Sequence, residues 1–388
     1  MNDSFNFMKI LRLGSVLLLF LYSCQNQKSE NDYQYPADFD KVGSTCFIWT
    51  VEYNEIIPEI SRIISMKDKV TIFYDERETD TTDIYNILKN NKFNSGNIKL
   101  VNIRNKPKSN WIRDFGPVYL INSKGRKKII DFGYFGKRLG FNSEIAEKNE
   151  LPIIGSTFNS SGGSRESNGK GTLLICETHE LDVNKSKTKS EIEEEYKNKL
   201  SVTNIIWLKQ GVPQDDSRLN GPLSDQIYPN GVNGHVDQFC RFADAGTILI
   251  SSVTDDEANM HPILAEAKRR LDENYNILLN STDQDGKKFK IIKVPLAPLL
   301  FMEKSVGSKN IYITPVTSYM NFIVTNSMII LPSYTSTKPD DMVLQNKENE
   351  VEDIFRKTFP NRDIIKVQAA ELNSFSGGFH CISINVPE

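Results

Sequence analysis

Asn233-Gly234-His235-Val236-Asp237-Gln238-Phe239-Cys240-Arg241-Phe242 (residues 233–242) sets an imidazole and a carboxylate two residues apart, directly after a turn-forming Asn-Gly pair. In an extended chain, residues i and i+2 face the same side, so His235 and Asp237 are expected to point into one pocket. Taken alone, the pair is as readily a structural hydrogen bond. It also suits two ligands of a metal, but no further His/Cys/Asp cluster completes a tetrahedral set.

Two other segments change the balance. In Gly377-Gly378-Phe379-His380-Cys381-Ile382, two glycines permit a sharp turn and leave a thiol at the start of a strand. In Trp111-Ile112-Arg113-Asp114-Phe115-Gly116-Pro117, Gly-Pro breaks the chain just after an acid. That places Asp114 on a loop feeding a strand at 118–121. Each segment separately reads as a turn or as core. Together they offer a thiol, an imidazole and two carboxylates, a set suited to covalent catalysis. Two carboxylates are superfluous for attack on a neutral peptide bond. They match a guanidinium, whose planar fork of N–H donors pairs bidentately with carboxylates.

The rest of the chain supplies the scaffold. Its 388 residues are 39% hydrophobic and 25% charged, the make-up of a globular chain with a sizeable core. Lys+Arg number 47 against Asp+Glu 50, a net charge of −3, which argues against a nucleic-acid binder working through a broad basic face. No CxxC occurs, so the usual structural zinc spacing is missing. Apolar or β-branched runs recur, among them VTIFY (70–74), TLLICE (172–177), NIIWL (204–208), TILISS (247–252) and FIVTNSMIIL (322–331). Helical periodicity marks 54–66, 82–91, 188–200, 256–274 and 347–358. Helices interspersed with pairs of strands predict an α/β or α+β domain from about 36 to 388, without detectable sequence repeats.

Residues 1–23 read as an export signal, with Lys9 and Arg12 ahead of a short apolar stretch from Leu13 to Leu21. Leu21-Tyr22-Ser23-Cys24 resembles a bacterial lipobox, which makes Cys24 the lipidated first residue of an exported lipoprotein. A polar tether follows over 24–35. Membrane contact is expected through that anchor alone, at the periplasmic face or the cell surface. Cys46, Cys176 and Cys240 sit in apolar runs and are expected to be small buried hydrophobes.

WIRDFGP (111–117), GGSRESNGKGTLL (162–174), NGHVDQFCRF (233–242), TSYMNFIVTNSMIILPSY (317–334) and GGFHCISINVP (377–387) resemble segments of the agmatine deiminase and bacterial-type peptidylarginine deiminase family. YPADFDKVGSTCFIWT (35–50) resembles the family's opening segment. The resemblance implies an α/β propeller, or pentein, with five ββαβ-like units around a central active site. It implies Cys381 as nucleophile, His235 as general acid/base, and Asp114 and Asp237 as the guanidinium clamp. It places Trp111, Asn321, Gly162 and Gly163 beside the substrate, and Arg113 and Arg241 as ion pairs bracing the carboxylates. No metal or organic cofactor is implied. The substrate would be agmatine, on the route to putrescine, or a C-terminal peptidyl arginine. The agmatine branch usually has acids where this chain has Ser161 and Asn233, and Lys137 and Arg138 offer charges for a substrate carboxylate. A different reading is an inactive exported lipoprotein that binds cationic guanidino ligands. A papain-like thiol hydrolase is disfavoured by the two extra carboxylates.

Overall fold

The computed structural model describes residues 32–50, 55–89, 92–217, 221–307 and 309–388. The export signal, Cys24 and the tether up to residue 31 lie outside the described residues.

The helices form where periodicity and capping agree. Thr188 caps Lys189–Leu200 through a reciprocal box with Glu191, and Thr254 does the same with Glu257 at the helix Asp255–Met260. Pro262 then opens Pro262–Asn280, so the stretch read as one helix over 256–274 is two. The helices Gly140–Lys148 and Glu177–Val183 escaped the sequence reading; the first has few apolar residues to mark a face. FIVTNSMIIL is likewise two strands, Ile323–Val324 and Met328–Ser333, paired antiparallel across a turn.

One pattern recurs in five sheets: a first strand antiparallel to a second, a helix, then a third strand parallel to the second. It is formed by Val118–Ile121, Lys127–Gly133 and Ile153–Asn159. It is repeated by Arg165–Ser167, Thr172–Cys176 and Asn204–Leu208. Cys240–Asp244, Thr247–Ser252 and Lys290–Pro295 form it again. The next is Ile323–Val324, Met328–Ser333 and Asp363–Gln368. In the fifth, the C-terminal strand Ile384–Pro387 pairs antiparallel with the N-terminal Val42–Ile48, which pairs parallel with Val70–Tyr74. Ile98–Asn102 extends that sheet, and a sixth sheet joins Ile227–Asn230, Lys309–Pro315 and Met302–Val306. The middle strands Thr172–Cys176 and Met328–Ser333 are buried at every residue, as strands covered on both faces must be.

This pattern positions the site. The loop entering the first strand of each of these five sheets carries at least one candidate. These are Cys381 before Ile384, Asp114 before Val118, Gly163 before Arg165, His235 and Asp237 before Cys240, and Asn321 before Ile323.

Candidate active site

The entry loops are not extended. Asp114 lies in a one-turn helix, Ile112–Phe115, rather than a plain loop. His235 precedes a 3-10 turn over Val236–Gln238, so the i, i+2 strand argument does not apply, although both side chains approach Gly163. Cys381 sits in turns ahead of its strand, not at the strand's start. Asn233 and Gly234 both take positive φ, 73° and 93°, which an Asn-Gly pair tolerates best. Asp215 holds that loop by accepting the backbone N–H groups of Val232, Gly234 and His235 at 3.0, 2.9 and 2.7 Å.

These turns bring the predicted residues together. The Cys381 Sγ is 3.8 Å from Asp237 Oδ2, and Asn321 Nδ2 reaches it at 3.4 Å. His235 Nδ1 is 3.7 Å from Asp114 Oδ1. The backbone N–H of Gly163 donates to the same Asp114 oxygen at 3.4 Å. A Cβ at Gly163 would sit 2.6 Å from His235 Nδ1 and 2.9 Å from Asp237 Oδ2, so a bare backbone is required there. Gly162 lies against the Arg113 carbonyl, and the Trp111 ring packs over Gly377 at the base of the Cys381 loop. A cavity of about 580 Å³ opens on Asp114 and His235, with Tyr134, Phe135, His179, Asp182 and Asn233 among its walls. Its lining does not include Asp237, Cys381, Trp111, Asn321, Gly162 or Gly163.

Arg113 and Arg241 brace acids other than the two expected. Arg241 pairs with Asp38 at 2.8 Å and with Glu166, while Arg113 pairs with Asp38 at 3.3 Å. Asp38, Glu166 and His380 place ligand-type atoms within 4.8 Å of one another. The Arg241 guanidinium pairs with both of those carboxylates, which makes the cluster an ion-pair network with a resident cation.

The sequence profile of the Porphyromonas-type peptidyl-arginine deiminases matches residues 35–387. The chain belongs to this deiminase family. The agmatine deiminase of Pseudomonas aeruginosa is 28% identical over 322 residues, covering 76% of this chain and 78% of the relative. That of Medicago truncatula is 28% identical, over 71% of this chain and 75% of its own length. Among solved structures, the agmatine deiminase of Enterococcus faecalis superposes with a TM-score of 0.72 at 20% identity, covering 93% of this chain and 97% of that one. The substrate-bound agmatine deiminase of C. jejuni gives 0.69 at 21%, covering 92% and 96%. These likenesses show the mixed α/β pentein fold. The protein is a hydrolytic deiminase that acts on linear amidines.

The charge distribution of the deiminase's site is uneven. Burial, reinforced by Asp237 and Asp114, pushes the Cys381 thiol well above its usual pKa. Burial also raises Asp114, with Asp237 adding to it against His235. Burial would raise Asp237 too, but the His380 hydrogen bond and charge outweigh it and hold this carboxylate low. His179 stacks edge-on to His235 at 4.7 Å, and burial beside that second imidazole pushes it down to about 3, so it stays neutral. Sequence reasoning missed Asp215, Asp38 and His179 as parts of this deiminase's centre. Asp38 lies inside the family-like opening segment, which was the available signal; His179 had none.

Proposed function

We propose that the protein converts a guanidino group to a ureido group and ammonia through a covalent Cys381 thiouronium. The observation that carries this is the approach of Cys381 Sγ to Asp237, 3.8 Å away, with Asp114 and His235 beside it in a buried centre. The guanidinium binds between Asp114 and Asp237. Its charge offsets the two carboxylates that hold the thiol protonated, so binding itself favours the thiolate. Sγ bonds to the central carbon as the thiol proton passes to His235, and one C–N bond breaks as His235 gives that proton to the nitrogen, which departs as ammonia. His235 then takes a proton from water, the new C–O bond forms, and the S–C bond breaks to restore Cys381.

The five sheets are read as blades of a propeller closed around this centre. The pairing of the last strand, Ile384–Pro387, with the first, Val42–Ile48, supports that closure. The substrate is agmatine or a peptidyl arginine. The tail would lie in the 580 Å³ cavity, whose carboxylates are Asp114 and, at the rim, Asp182. Asp182 is already engaged by Lys185 at 3.2 Å and by Asn233 at 3.2 Å. Ammonia release from agmatine, free arginine and C-terminal arginyl peptides tests the function and ranks the tails. Release from none of them would overturn it.

The state of the thiol gives a further prediction. A neutral alkylator brings no charge to help the thiol ionise, whereas a haloacetamidine brings a planar cation. Chloroacetamidine is therefore expected to inactivate Cys381 faster than iodoacetamide at neutral pH, although iodide is the better leaving group. With iodoacetamide, the rate should climb only as pH rises toward the thiol's elevated pKa. Faster labelling by iodoacetamide would show that the resting thiol is already ionised.

We further propose that residues 1–23 direct export and that Cys24 carries the lipid anchor, on the strength of the lipobox-like LYSC at 21–24. Cys24→Ala should abolish acyl labelling and signal-peptide cleavage at that site. Wild-type protein without lipid mass on residue 24 would end this reading.

A further inference from the structure

His380 immediately precedes the nucleophile, yet its ring takes no part in the steps above. It is 1% exposed and bridges two carboxylates, with Nδ1 2.7 Å from Asp237 Oδ2 and Nε2 2.5 Å from Asp38 Oδ2. In either tautomer a ring N–H of His380 donates to one of these carboxylates, so the imidazole is the hydrogen-bonding bridge between Asp38 and Asp237. Burial and the charges of Arg113 and Arg241 keep the imidazole's own pKa below its usual value, against the pull of the two aspartates.

The consequence falls on Asp237. Its Oδ2 is occupied by His380, while its buried Oδ1 has no hydrogen-bond partner among the described residues. An unpartnered buried carboxylate oxygen is costly unless something arrives to fill it. The backbone carries the same coupling: the N–H of His380 donates to Asn321 Oδ1 at 2.8 Å, and Asn321 Nδ2 touches the Cys381 sulfur at 3.4 Å.

We propose that His380 and Asp38 are positioning residues that pin Asp237 by its Oδ2 and leave Oδ1 for the substrate's guanidinium. This rests on the deiminase mechanism above and deepens it. The anchor is a chain of contacts across 342 residues of sequence, from the opening segment to the nucleophile loop. Arg113 and Arg241 pair with Asp38 at 3.3 and 2.8 Å and fix the far end of the chain.

The test uses the full-length protein with His380→Asn and Asp38→Asn, and reads kcat/KM against pH. Asp237 faces His380 and Cys381 from the C-terminal loop, His235 on its own turn, and Asp114 on the helix before Val118. It also faces Arg241 and Glu166 on neighbouring strands, Arg113, Asp215 and the neutral His179. His380 is what chiefly holds the Asp237 pKa down, so removing it raises that pKa. The lower of the two acid limbs of kcat/KM, that of Asp237 beneath the Asp114 limb, should then move to higher pH, with KM rising more than kcat falls. Asp38→Asn keeps a neutral acceptor for Nε2 and should move the limb the same way by less. A uniform loss at every pH, with the limb unmoved, would mean a merely structural role and overturn the proposal. Proton NMR of the resting protein gives a readout independent of turnover. A far-downfield exchangeable imidazole N–H proton is expected and should be lost in His380→Asn. Its absence from the wild type would also overturn the proposal, even if His380→Asn did not fold. Failure of the wild type to release ammonia would instead count against the deiminase reading, while the NMR signal still reports on the His380 bridge.

Discussion

Cys381→Ser is expected to stop turnover while the protein stays folded. The serine hydroxyl is close in size to the thiol, and Asn321 and Gln238, which approach the sulfur at 3.4 and 3.5 Å, can hydrogen-bond it. Packing therefore changes little, and the melting temperature should stay within a few degrees. The chemistry changes greatly. The thiol is already pushed well above its usual pKa by burial and two aspartates, and in the proposed mechanism it becomes a nucleophile only when the substrate's cation arrives. A hydroxyl starts several units higher still, beyond what one bound cation offsets. Loss of a covalent nucleophile costs far more than the roughly 10²–10⁴-fold of general acid–base help, so a fall of about 10⁴-fold or more in kcat is expected. Ammonia release above about one part in a hundred of wild type, under conditions where chemistry limits the rate, would remove Cys381 from the nucleophile role.

The parts of this molecule that could be read in the sequence are those where one face or both faces of an element are buried. Thr172–Cys176 and Met328–Ser333 are wholly interior, so they appear as unbroken apolar runs. The helix Ile56–Ser65 buries Ile57, Ile60 and Ile64 on one face, a spacing that could not be mistaken. The fivefold recurrence of topology was invisible because the sheets share connectivity and little else. The helix between second and third strands has 9 residues at Gly140–Lys148, whereas Pro262–Asn280 alone has 19. The turns of the candidate site resisted for another reason. Their conformation is set by distant partners: Asp215 fixes the His235 turn from 20 residues away, and Asp38 meets His380 across the length of the chain. No local period encodes such contacts. The residue types of the site were legible because thiol, imidazole and paired carboxylates beside turn residues are rare company. Which acids Arg113 and Arg241 would pair with was not.

The two clamp carboxylates give the last expected result. Asp114→Asn and Asp237→Asn keep the side-chain shape and remove one charge each. Both residues are buried, at 7% and 0% exposure, so a guanidinium facing an amide there is desolvated and short of one charge partner. Breaking such a pair costs about 2 to 5 kcal/mol. At tenfold per 1.36 kcal/mol, kcat/KM should fall by roughly 30-fold to several thousand-fold in each variant. The two differ in pH response. Burial and Asp237 raise Asp114, so Asp114 is the first of the pair to take a proton as pH falls. Wild-type kcat/KM should accordingly decline through the Asp114 pKa, and that limb should vanish in Asp114→Asn, leaving the lower one of Asp237. A clamp on the guanidinium is indifferent to what lies beyond it, so two guanidino substrates with different tails should lose activity by similar factors. A loss confined to one of them would move the residue to the tail. A loss under threefold on both would leave Asp114 as a turn residue of WIRDFGP and Asp237 as the partner of His380, with the cation held elsewhere.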